Sequence, residues 1–120
     1  DASGNIDSTD FITFYVESDL RIRNVVNWPN PFPRATTFTF MLGGATRPTE
    51  GVIDIFTITG RKIKSIPLVA SDLRVGFNHV DWDGRDADGD ELANGVYFYR
   101  IRVKDGTRTI ETIEKLAVVR

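Results

Sequence analysis

The 120-residue sequence contains no cysteine, a single histidine and a single methionine. Without cysteine there is no disulfide staple, no thiolate nucleophile and no cysteine-based zinc site, and His79 alone supplies no histidine pair for a metal. Most enzyme classes lose their usual machinery. An excess of charge of either sign is missing too: 15 basic side chains face 17 acidic ones, for a formal net charge of −2. No block of basic residues hides inside that average, so neither nucleic acid nor an anionic lipid surface is implied as a partner. Apolar runs extend only a few residues, far short of the ~20 that a membrane helix needs, and no membrane insertion is expected. The sequence opens at Asp1 without a signal-like stretch and is expected to be an excised part of something longer.

Helical periodicity is also scarce. In its place, short runs rich in Thr, Ile, Val, Phe and Tyr recur between clusters of Gly, Pro, Asn and Asp, the pattern of an all-β chain. Strands are expected over 11–16, 20–26, 37–42, 51–58, 61–66, 77–82, 95–103 and 110–119. Alternation in the third of these places Phe38, Phe40 and Leu42 on one face, toward a core. Ile53 and Ile55 are expected inward and Asp54 outward. Thr59-Gly60 turns a hairpin whose second strand has a basic outer edge, Asp105-Gly106 turns another, and Asn94-Gly95 has the composition of a two-residue hairpin turn. Pro29 and Pro31 lack amide donors and hold φ near about −65°, which makes their segment an extended lead-in rather than a central strand. Seven or eight such strands fit an immunoglobulin-like Greek-key β-sandwich of two antiparallel sheets. Phe38, Phe40, Ile53, Ile55, Trp82, Tyr97, Tyr99 and Leu116 are expected to fill it. Residues 1–20 form an N-terminal strand and linker that also suits the last hairpin of a preceding β domain, leaving 21–120 as the sandwich proper.

The densest polar feature is 81–91, with six carboxylates in eleven residues. Closely spaced acids offer the oxygen ligands that calcium takes, and Asp83, Asp86, Asp88 and Asp90 are the candidates. The EF-hand register fails, because the sixth position counted from Asp86 is Glu91 where glycine is needed. Asp and Gly also favour turns for local backbone reasons, so a structural turn is the preferred reading and calcium the alternative. No other cofactor is implied. Glycoside hydrolysis needs two carboxylates across a cleft, whereas these sit side by side on one loop tip. His79 has no partner at motif spacing and is expected at an exposed strand position. The aromatic residues Phe38, Phe40, Phe77, Trp82, Tyr97, Phe98 and Tyr99 suit core packing better than a sugar platform, and Trp28 alone is expected at the surface.

Four pieces in a fixed order carry a resemblance: Asn30-Pro31-Phe32 before a Thr/Phe strand; the stretch 55–63 with Thr59-Gly60; Trp82-Asp83-Gly84-Arg85-Asp86 with Asp88-Gly89; and Leu92-Ala93-Asn94-Gly95-Val96-Tyr97. Over about residues 24 to 120 the set resembles the C-terminal immunoglobulin-like domain of many exported proteins of the Bacteroidetes and Chlorobi groups. That domain is akin to the Ig-like domain of the flagellar hook-cap protein and serves as the type IX secretion sorting domain. The closing Glu114-Lys115-Leu116-Ala117-Val118-Val119-Arg120 is similar to the endings of such domains, although Ala117 stands where a larger aliphatic is usual and the loop 43–50 is long. The wording of 25–32 and 86–90 is most similar to the tail of gingipain-like cysteine peptidases of the C25 group, which include the type IX sortase. The resemblance implies a non-catalytic sorting or anchoring module, exported to the periplasm, the outer-membrane surface or beyond. Its partners would be the type IX translocon or shuttle proteins and the preceding domain of its own chain, and the isolated domain would be a monomer. Lys115, Leu116, Ala117, Val118, Val119 and Arg120 are the recognition candidates, with the Lys115 and Arg120 side chains exposed. The competing expectation is an adhesion or stabilising module, with or without calcium, that packs on a neighbouring domain.

Overall fold

A period-two alternation of apolar and polar residues buries one face of a strand and exposes the other, so each such run needs a second layer to cover it. The computed structural model, which describes residues 20–44, 47–106 and 108–120, provides that layer with two sheets. Its strands are β1 (Arg21–Trp28), β2 (Thr36–Gly43), β3 (Glu50–Thr57), β4 (Lys62–Val69), β5 (Gly76–Trp82), β6 (Gly95–Lys104) and β7 (Thr109–Val118). One sheet has the order β1-β2-β5, the other β4-β3-β6-β7, and every neighbouring pair is antiparallel. This is the expected all-β, Ig-like sandwich. The strand expected over 11–16 lies outside the described residues.

The core forms where the inner faces meet. Phe32, Phe38, Phe40, Ile53, Ile55, Ile101, Val103 and Val118 have no exposed surface, and Leu42, Trp82, Tyr99 and Leu116 have almost none. Phe38 sits at the centre, stacked on Trp82 at 5.9 Å between ring centroids and tilted against Tyr99 at 4.7 Å. Phe32 meets the edge of Trp82 at 5.8 Å, and the Trp82 indole N–H donates to the Arg85 carbonyl at 3.0 Å. Burial drives the Tyr99 phenol well above its ordinary pKa, with the nearby Glu114 charge adding to the effect.

Four expectations need correction. Tyr97 is only partly buried, because its hydroxyl reaches out to the Ala93 carbonyl at 2.8 Å. Phe77 is 56% exposed, since it shares the outer face of the three-stranded sheet with its β2 partner Met41. Asp54 does leave the core side, yet it is only 3% exposed. Arg100 from β6 donates to it at 2.9 Å, Ser65 from β4 donates at 2.6 Å, and Lys62 lies 3.9 Å away. Burial alone would raise the Asp54 pKa, but these donors and charges outweigh it and hold the carboxyl below its ordinary value. Finally, Asn94-Gly95 is no two-residue hairpin: Gly95 begins β6 at a positive φ of 154°, and the chain before it lies in the loop after β5 rather than in a paired strand.

The edge strand β1 contains a shift that matters for the site. Its register against β2 slips between Arg23 and Val26, where Asn24 takes φ of 56°. Beyond this bulge Val26 and Trp28 face solvent, with Trp28 75% exposed as expected, and Asn27 turns inward to 5%.

Candidate functional site

The six C-terminal residues lie along and beyond the end of β7, and their own alternation decides what each contributes. Leu116 and Val118 point into the core, Ala117 is half-buried, and the Lys115 and Val119 side chains are exposed. Among the described residues β7 pairs with a full strand, β6, on one flank, and its other flank takes different partners. Asn30-Pro31-Phe32 covers the C-terminal half of that flank. Phe32 forms a parallel bridge to Val118, donating to the Ala117 carbonyl at 3.0 Å and accepting from the Val119 N–H at 3.1 Å. Asn30 extends the clamp with its side chain: Oδ1 accepts from the Ala117 N–H at 3.0 Å, and Nδ2 donates to the Lys115 carbonyl at 3.5 Å. Nδ2 also donates to Oδ1 of the buried Asn27 at 3.1 Å, and Asn27 in turn donates to the Thr36 hydroxyl at 3.2 Å. The β1 bulge thus sets up the Asn27–Asn30 pair that seals the sheet edge.

Arg120 is exposed as expected, yet its side chain is engaged. Its guanidinium is not a free exposed charge, because it donates to the Leu92 carbonyl and lies 3.9 Å from Glu91, with its side chain only 28% exposed. Its backbone N–H donates to the Asn94 side chain at 3.1 Å. Asn27, Asn30, Leu92 and Asn94 are therefore the parts of the site that residue-by-residue reading of the tail misses. The signal for Asn30, Leu92 and Asn94 was present in the two Asn-containing pieces of the ordered motif set, and Asn27 lies outside them.

The acidic loop is built mainly from local hydrogen bonds. Asp83 Oδ1 accepts from the Arg85 N–H at 3.0 Å, and Asp86 Oδ1 accepts from the N–H groups of Asp88 and Asp90, each at 2.9 Å. The Ala87 N–H ties the loop to the Ile63 carbonyl at 2.9 Å. Gly84, at φ +77°, passes so close to the Arg34 carbonyl that a Cβ there would lie 2.1 Å from its oxygen. Among the calcium candidates, the carboxylates of Asp86, Asp88 and Asp90 converge within 4.8 Å of one another, and Asp83 does not join them. His79 is exposed, with its ring 6.2 Å from that of Phe77.

Two features now stand together: a three-on-four antiparallel sandwich, and a last strand pinned by an Asn-Pro-Phe segment. The sequence model of the FlgD Ig-like domain matches residues 32–107. The chain belongs to this FlgD Ig-like family. Among solved structures, it is similar to dimeric latent PorU from Porphyromonas gingivalis, at 25% identity and a TM-score of 0.69 over 85% of this chain and 10% of that one. It is also similar to PorZ of the same organism, an essential bacterial surface component of the type-IX secretion system, at 26% identity and a TM-score of 0.50 over 81% of this chain and 12% of that one. The FlgD Ig-like chain therefore spans only about a tenth of either protein. No curated protein matches it.

Proposed function

We propose that this FlgD Ig-like domain is a non-catalytic C-terminal module that sorts or anchors a larger exported protein through the type IX pathway. The likeness to PorZ over 81% of the chain carries this reading. The tail geometry supports a particular form of it: Lys115 to Arg120 is held in the sheet by core burial, by Asn30 and Phe32, and by Asn94, so the export machinery meets a folded surface. Of the six residues, Lys115 and Val119 present the freest side chains, and they are the proposed points of contact with a translocon or shuttle protein. Resemblance of 25–32 and 86–90 to gingipain-like tails supports a cysteine peptidase of that group as the parent.

The test is a passenger protein fused ahead of residues 1–120 and followed in a type IX host. Lys115→Gln with Val119→Ser should leave folding intact, since surface substitutions usually stay within about 0.5 kcal/mol, yet the passenger should accumulate in the periplasm. Export at the parental rate by the folded variant would remove these two side chains from the signal.

The exposed Val26, Trp28 and Phe77 on the outer face of the three-stranded sheet favour a second reading, a stabilising module packed on its preceding domain. Under that reading Trp28→Ser with Phe77→Ser lowers the melting temperature of the parent protein but not of the isolated domain.

A further inference from the structure

Six asparagines stand in the sequence, and only Asn94 is followed by glycine. An asparagine ahead of glycine is the side-chain amide most prone to self-modification, because no Cβ shields the following backbone nitrogen from the asparagine Cγ. Elsewhere among the described residues that route is closed or hindered. Pro31 after Asn30 has no N–H, Asn27 and Asn78 are buried, and Asn24 precedes the branched Val25. Asn94 and Gly95 are both exposed, and nothing lies within 4 Å of the place that a Cβ on Gly95 would take.

The fold ties both reacting groups to the tail. Ala117 turns its N–H and C=O outward to Asn30 and Phe32, so its neighbour Val118 turns its own toward β6. Val118 is the register partner of Gly95, and the Gly95 N–H therefore donates to the Val118 carbonyl. The Asn94 Oδ1 accepts the Arg120 N–H at 3.1 Å, and the Arg120 side chain is itself held by the Leu92 carbonyl and Glu91 of the same loop. A nitrogen fixed in a ladder bond and an amide fixed by the end of the next strand do not swing together. The ring between them closes only after that end has opened.

We propose that Asn94-Gly95 is a deamidation site that the C-terminal strand keeps latent and that detachment of Val118 to Arg120 from β6 uncovers. In the opened chain hydroxide takes the Gly95 amide proton, the nitrogen bonds to Asn94 Cγ, and the side-chain nitrogen leaves as ammonia. Water then opens the cyclic imide at either carbonyl, giving aspartate or its β-linked isomer. Water is the only co-reactant. The β-linked product adds one carbon to the main chain between residue 94 and Gly95, which moves the group that met Arg120 and offsets the first pair of the β6–β7 ladder. A tail that has opened long enough to react does not seal again in its first register.

Residues 1–120 and a free peptide of residues 90–98 are incubated at mildly alkaline pH, and mass spectrometry follows amide-to-acid conversion at Asn94. The folded chain should react about tenfold or more slowly than the peptide. Deletion of Arg120, and separately Asn30→Ala, should recover a severalfold part of that difference while circular dichroism still reports the sandwich. Urea below the unfolding midpoint makes the same test without a variant: conversion at Asn94 in the parent should rise in step with hydrogen exchange of the Val118 amide. Conversion in the folded parent as fast as in the peptide would show that the tail guards nothing. A slow parent whose conversion ignores both the variants and the Val118 exchange would equally overturn the proposal.

Discussion

Leu116→Ala separates what the last strand does for folding from what it does for recognition. Leu116 is 1% exposed and faces Tyr97 across the β6–β7 pair, one residue from the proposed contact Lys115. Removing its buried carbons forfeits their transfer free energy and leaves a cavity that rigid strands fill poorly, at a cost of about 2–5 kcal/mol. Total stability for a domain of this size is about 5–15 kcal/mol, so the variant stays folded at room temperature unless the largest loss meets a parent at the bottom of that range. Each kcal/mol lowers the melting temperature by about 4–8 °C at this length, so a loss of about 3 kcal/mol appears as about 12–24 °C. Lys115→Gln, next door and solvent-exposed, should shift it by only a few degrees. Thermal and urea unfolding followed by far-UV circular dichroism measures both. A Leu116→Ala loss below about 1 kcal/mol would mean that the tail is an adhering peptide rather than part of the core, and the reading of a folded recognition surface would fall with it.

Three other outcomes follow from particular contacts. Gly84→Ala should be among the most damaging single-methyl additions, because it combines a positive φ of +77° with a Cβ 2.1 Å from the Arg34 oxygen; a melting temperature within a degree or so of the parent would refute that close approach. The Asp54 pKa lies below its ordinary value of 3.8, so the stability it contributes is fully present above 3.8 and fades as pH falls through the depressed folded value. The advantage of the parent over Asp54→Asn in urea unfolding should accordingly shrink on acidification below 3.8, and a constant advantage down to pH about 2 would count against the Arg100–Asp54–Ser65 network. Calcium should raise the melting temperature only slightly at millimolar concentration, because Asp86 Oδ1 already accepts two backbone amides; a large rise at micromolar calcium would make Asp86, Asp88 and Asp90 a true cation site.

The order of amino acids by itself determined the strands, their inward faces and the two-sheet class, because alternation is a local property and each strand carries its own. Phe38, Phe40, Ile53 and Ile55 lie buried for that reason, and the tail's Leu116 and Val118 follow the same rule. Coverage, by contrast, depends on which strands become lateral neighbours, and only the tertiary structure decided that. Asp54 leaves the core side as its position requires, yet it is buried by Arg100, 46 residues away in sequence. Phe77 has the aromatic character of a core residue, but its register against Met41 on the outer face of an uncovered sheet leaves it in water. The same holds for the ends of the site. Asn30 closes on Ala117 across 87 positions, and Arg120 turns its guanidinium onto Leu92 across 28. Period-two alternation carries no information at such separations, since hydrogen bonds of that range exist only once both sheets have packed.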